Sequence, residues 1–198
     1  VWATGELQTP RRHYQKEVLK RIGQAKAGDE VISIVTQEDL DNERVLKDKK
    51  EHTWRFVAEE VPDFAFATSN NYVWDGTSVE VNPENGRRTF VSAVYDTGSS
   101  YFDQVAEIGS KTIDLFSREI MGAHFPWPKL TVFNGSGGME FPMLINDGEI
   151  SDYKETVHLT AHEIGHNYFP FYVMTYESYY AFRDEGLITF LPRIAEQS

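Results

Sequence analysis

His162-Glu163-Ile164-Gly165-His166 reads H-E-x-x-H. On a helix, residues four apart share one face, so both imidazoles can meet a single metal ion. Neutral imidazole suits Zn²⁺, which takes nitrogen, sulfur or carboxylate donors near ~2 Å. Glu163 sits about 100° round the helix from His162. That direction suits a carboxylate reaching water at the metal better than a third ligand. Zinc lowers the pKa of bound water to about 7, and a nearby carboxylate can take its proton. At the frequencies of His and Glu in this chain, the pattern arises by chance with a probability of roughly 2%. A catalytic zinc also needs a third protein ligand. Glu185, nineteen residues after His166 in Arg183-Asp184-Glu185, is the candidate. Requiring it there lowers the chance to about 0.2%.

The other histidines fit less well. His158 lies four residues before His162 but eight before His166, about 12 Å along a helix axis. It cannot share one ion with the pair and reads as a core residue or a support for the ligands. His13, His52 and His124 lack metal-like neighbours in sequence and read as ordinary.

Positioning these groups requires a helix over 152–169, closed by Pro170, with Asp152 and Glu155 spaced as a capping box. A second helix is expected from about Glu177, carrying Glu185. Upstream, residues 101–120 place Phe102, Val105, Ile108 or Gly109, Thr112 or Ile113, Phe116 and Ile120 on one stripe of an amphipathic helix. Residues 11–27 carry Tyr14, Val18, Ile22 and Ala25 at helical spacing among basic residues. Residues 31–37, 53–61, 63–69 and 87–95 read as strands, with Pro62 at a bend and a turn at 82–86. Residues 41–52 suit a loop, and 125–135 a Pro-punctuated loop and strand. Residues 134–144 are Gly-rich and then apolar. The first ~90 residues read as mostly β.

Composition narrows the partners. The 198 residues hold 19 basic and 31 acidic side chains, for a net charge of −12. This argues against nucleic acid, whose phosphates need Lys and Arg. Residues 101–198 hold 6 basic and 14 acidic groups, against 13 and 17 before them, so the acidity concentrates where the metal motif lies. There is no cysteine, which removes disulfides, thiol catalysis and Cys-ligated zinc and leaves His and Glu as the natural donors. No apolar run approaches the ~20 residues of a membrane span.

On these motifs the chain resembles the M1 family of zinc aminopeptidases, which are gluzincins. The matching segments are 160–172 and 180–191, which resemble the family's two metal-binding helices. Gly137-Gly138-Met139-Glu140-Phe141 resembles its G-x-M-E-N motif, 25 residues before His162 if counted from Gly137. Residues 53–75 resemble the last strands of its N-terminal β-domain.

The resemblance implies an α+β chain and a piece of a longer enzyme. Residues 1–88 would be the tail of an N-terminal β-sandwich domain. Residues 89–198 would be the N-terminal lobe of a thermolysin-like catalytic domain. It implies one Zn²⁺ on His162, His166 and Glu185, with Glu163 as the general base. Gly137, Gly138 and Met139 would line a peptide, and Glu140 would bind its free α-amine. The expected partner is a peptide with a free N-terminus, and the reaction removes its first residue. An endopeptidase, or a metal- or peptide-binding module without turnover, is the alternative. Phe141 departs from the family's Asn and bears on fine specificity. None of Tyr153, Tyr168, Tyr172, Tyr176, Tyr179 and Tyr180 matches the family's oxyanion tyrosine, so aromatic packing is their expected role. An extracytoplasmic setting is favoured, with the compartment itself left open.

Overall fold

The computed structural model describes residues 1–47, 51–174 and 177–196. In chain order, strands β1 (Trp2–Ala3) and β2 (Glu6–Leu7) lead to helices α1 (Pro10–His13) and α2 (Lys16–Ala27). Strand β3 (Ile32–Val35) and helix α3 (Gln37–Asp41) follow, then β4 (Phe56–Val57) and β5 (Phe66–Ala67). A long hairpin comes next, β6 (Val73–Asn82) and β7 (Arg87–Tyr95). Helix α4 (Val105–Leu115) crosses to β8 (Lys129–Gly135) and β9 (Leu144–Gly148). Helix α5 (Tyr153–Tyr168) precedes three short helices, α6 (Glu177–Tyr180), α7 (Glu185–Ile188) and α8 (Pro192–Ala195). The chain is thus a mixed α+β fold.

One five-stranded sheet organises it, in the order β3-β6-β7-β8-β9. The β3–β6 and β6–β7 pairs are antiparallel, and β7–β8 and β8–β9 are parallel. Residues 88 and 89 both stand inside β7. Alternation along β6 and β7 divides the sheet into two faces, as a period of two requires. Val73, Val79, Val91, Ala93 and Tyr95 join the larger core under α4 and α5. Trp74, Phe90 and Val94 join Tyr14, Val18, Ala25 and Ile34 in a second core under α2. Both of the sheet's faces are therefore covered. This explains why β6 was not legible as a strand: seven of its residues, Val73–Val79, are buried in a row and show no polar alternation.

The amphipathic stripe of 101–120 forms α4, entered by a 3₁₀ turn and left by a π turn at Phe116–Ile120. Its Phe102, Val105, Ile113 and Phe116 are all buried. The segments 53–61 and 63–69 differ from expectation. They form only the two-residue strands β4 and β5, because their partners β2 and β1 are themselves two residues long. The loop expected at 41–52 begins one residue into the end of α3, and its residues 48–50 lie outside the described residues. The helix expected from Glu177 is broken into α6, a 3₁₀ turn and α7. The backbone leaves the helical basin at Asp184 (φ −88°, ψ −81°), so Glu185 opens a new turn instead of continuing an old one. Among the described residues, no helix is long and apolar enough to cross a membrane.

Candidate metal centre

Helix α5 is the platform. Asp152 caps it, its carboxylate accepting from the Glu155 N–H at 3.1 Å, which satisfies one otherwise unpaired donor. Thr156, Thr160, Ala161, Ile164 and Tyr168 are buried, and the Tyr168 hydroxyl meets Ser117 Oγ at 2.7 Å. With these residues anchored, His162 and His166 stand together, their Nε2 atoms 3.1 Å apart.

Glu185 completes a triangle. Its Oε2 lies 3.4 Å from His162 Nε2 and 3.9 Å from His166 Nε2. Tetrahedral zinc with bonds of ~2.05 Å sets its ligand atoms about 3.4 Å apart. Sides of 3.1, 3.4 and 3.9 Å enclose a point about 2.0 Å from all three donors, a zinc–ligand distance. The donor set of two imidazoles and a carboxylate also suits the ion. The residues present therefore fit zinc. The site is graded in exposure: the His166 side chain is 1% exposed, that of His162 18% and that of Glu185 61%. Glu185 is thus the rim through which a ligand can approach.

The approach of α7 to α5 depends on Gly165. A Cβ there would stand 3.2 Å from two carbons of Ile188, tighter than ordinary packing. The small residue between the two histidines lets Ile188, itself fully buried, seat against α5 and bring Glu185 within reach.

Two further carboxylates belong to this centre. Asp184 Oδ1 lies 2.7 Å from His166 Nδ1, on the far side of the ring from the triangle. Glu140 brings a carboxylate oxygen within 4.8 Å of a His166 ring nitrogen and of Asp184. The segment carrying Glu140 runs antiparallel along β9. Met139 N–H donates to Asn146 O at 3.1 Å, and Asn146 N–H to Met139 O at 2.7 Å. Asn146 Nδ2 also donates to Gly137 O at 3.0 Å. A Cβ on Gly138 would overlap Glu163 Oε1, so the segment lies directly on the Glu163 carboxyl.

The electrostatics follow from this crowding. Glu163 is 4% exposed, and its carboxyl is pushed up to about 9, first by burial and then by Asp147, Glu140, Glu185 and Asp184. Burial, and then the neighbouring His166, lower the His162 imidazole, which keeps it neutral and able to ligate. Asp147, at the end of β9, is pushed up to about 7 by burial, partly offset by the Thr160 hydroxyl at 2.7 Å.

The remaining histidines are placed elsewhere. His158 is half-buried and is not a core residue. Its Nδ1 pairs with Glu196 Oε1 at 2.6 Å on a partly exposed face, because i−4 from His162 turns toward α8. His13 and His52 are each other's partners, Nδ1 to Nδ1 at 3.0 Å, with Trp54 stacked 4.1 Å from His13. His124 is exposed. Of the tyrosines, Tyr168 packs in the core as expected, Tyr153, Tyr172, Tyr179 and Tyr180 are exposed, and Tyr176 lies outside the described residues. Asp184, Asn167 and Asp147 had no role in the sequence reading. Asp184 and Asn167 each adjoin a proposed ligand, Glu185 and His166, which is the one signal the sequence offers; Asp147 has none.

No protein-family model matches this chain, and no curated protein matches it.

Proposed function

We propose that this chain carries the zinc centre of a metallopeptidase of the M1 aminopeptidase type, on the N-terminal lobe of a thermolysin-like domain. The observation that carries the reading is the donor triangle of His162, His166 and Glu185, whose sides suit a single zinc ion. Bound zinc would act as a Lewis acid on a peptide carbonyl and lower the pKa of water. Glu163 takes a proton from the attacking water at its carboxylate and returns it to the departing amine. Glu140, close to His166 and Asp184, holds the substrate's α-ammonium by charge, which fixes the cut one residue from the end. The edge segment Gly137-Gly138-Met139 is bonded to Asn146 of β9 through Met139 N–H, Met139 O and Gly137 O, so an extended peptide would pair with its other edge, at Gly138.

A second reading, a module that holds metal and peptide without turnover, is favoured by the burial of Glu163. Its carboxyl is 4% exposed and pressed by Asp147, Glu140, Glu185 and Asp184, surroundings that favour the protonated form over the base a peptidase needs. The two readings are separated by experiment. Wild type should bind one zinc ion per chain and melt higher with zinc than with chelator. His162→Ala should hold well below one ion. Equal zinc in both proteins removes the ligand assignment. Hydrolysis of a chromogenic aminoacyl substrate, absent with an N-blocked one and lost in zinc-loaded Glu163→Gln, supports the peptidase. Zinc and peptide binding with no hydrolysis in wild type supports the module.

A further inference from the structure

We infer that Asn167 is a positioning residue, which sets Glu140 against the metal face of α5 through a strained turn. The inference rests on the proposed role of Glu140 and adds the residue that determines where its carboxylate stands. Asn167 follows the second histidine of the motif and is fully buried. Its amide makes three bonds, and they join two elements. Nδ2 donates to Glu140 O at 3.2 Å and to Glu163 O at 3.3 Å. Oδ1 accepts from Met143 N–H at 3.1 Å.

The third bond explains the turn. Leu144 N–H donates to Phe141 O at 3.0 Å, closing a four-residue turn with Pro142 second and Met143 third. Met143 has φ 64°, the left-handed value that a type II turn requires at that position and that favours glycine. Met143 pays the strain of that conformation with its side chain 1% exposed, in the core. A type II turn leaves its third N–H unpaired, and burial without a partner would be costly. Asn167 supplies the partner. The turn is therefore locked onto α5 one residue beyond His166, and Glu140 is held between this lock and the Met139–Asn146 pairing. Neither aspartate nor serine can replace this: only an amide donates twice and accepts once from so short a stem.

The test uses the zinc-loaded full chain, titrated calorimetrically with leucine hydroxamate and its N-acetyl form. The hydroxamate addresses the metal in both, and only the first has an amine for Glu140. Asn167→Asp keeps an oxygen for Met143 N–H but turns a second oxygen toward the carbonyls of Glu140 and Glu163. It should bind zinc and the N-acetyl compound as wild type does, and lose about ten-fold of the free-amine preference, the size of one lost hydrogen bond. An unchanged preference in folded, zinc-loaded Asn167→Asp overturns the inference. If that variant does not fold, Pro142→Gly loosens the same turn without touching α5. It should lose the preference too, and keeping it counts against Asn167. A wild type with zinc bound but no free-amine preference removes the Glu140 role itself, and this inference with it.

Discussion

His166 faces two ways: its Nε2 points into the donor triangle while its Nδ1 stands 2.7 Å from Asp184 Oδ1. A carboxylate beside Nδ1 favours, by charge, a proton on that nitrogen, which would leave Nε2 with its lone pair for a metal. Asp184 adjoins Glu185, so one short stretch places a carboxylate on each side of the His166 ring.

Asp184→Asn should therefore weaken zinc binding by about 10–100-fold, the usual cost of losing such a partner. Competition against a chromophoric chelator measures it. The backbone at Asp184 and the Glu185 side chain remain in place, so an affinity within two-fold of wild type would show that Asp184 merely fills space.

Gly138→Ala should leave zinc bound and reduce hydrolysis by about 100-fold, the penalty expected when a reacting group is moved by ~1 Å. The new methyl would overlap Glu163 Oε1, and that carboxyl has to swing aside. Steady-state assay of zinc-quantified protein decides it. Full activity would mean that the carboxyl near Gly138 is not the one that moves the proton.

The parts legible in sequence were those whose signal is local. H-E-x-x-H fixes the mutual placement of His162 and His166 once a helix is granted, and the stripe of 101–120 fixes the buried face of α4. Glu185 was legible only as a spacing, and the helix expected to carry it is in fact broken at Asp184. Its arrival beside the histidines depends on Ile188 seating on Gly165, a contact between residues 23 apart that no periodicity announces. Asn167 and Asp147 were illegible for a related reason. Their importance lies in which carbonyls and hydroxyls tertiary packing brings to them. Burial on both faces erases the alternation that would mark β6 in sequence, and the strands within 53–69 are shorter than their composition suggests because each pairs with a strand of two residues.

Tyr168→Phe should destabilise the fold by about 1–2 kcal/mol. The Tyr168 hydroxyl meets Ser117 Oγ at 2.7 Å, and the same Ser117 oxygen accepts from Phe125 N–H at 3.1 Å. The ring of Tyr168 packs edge-on against Phe116 and Phe125, which the substitution preserves. Urea denaturation with chelator present isolates the hydrogen bond from zinc binding. No loss would mean that Ser117 finds another partner without cost.

Asp147 gives the stability curve a predictable sign. Burial pushes its carboxyl up to about 7 in the fold, against ~3.9 when exposed, so the fold binds the proton more tightly than the unfolded chain does. The stability from that proton is present in full below about pH 4 and is lost as pH rises through 7, up to about 4 kcal/mol in all. The cause is structural: Asp147 is 2% exposed, and Thr160 serves only its Oδ2, leaving a charged Oδ1 in the core without a hydrogen bond. Asp147→Asn keeps an acceptor for Thr160 and carries no charge at any pH. Relative to wild type it should gain stability from pH 4 to about pH 7 and hold that gain above it. Urea midpoints of the two chelated proteins across that range measure the difference. Parallel curves would show that Asp147 does not retain its proton in the fold.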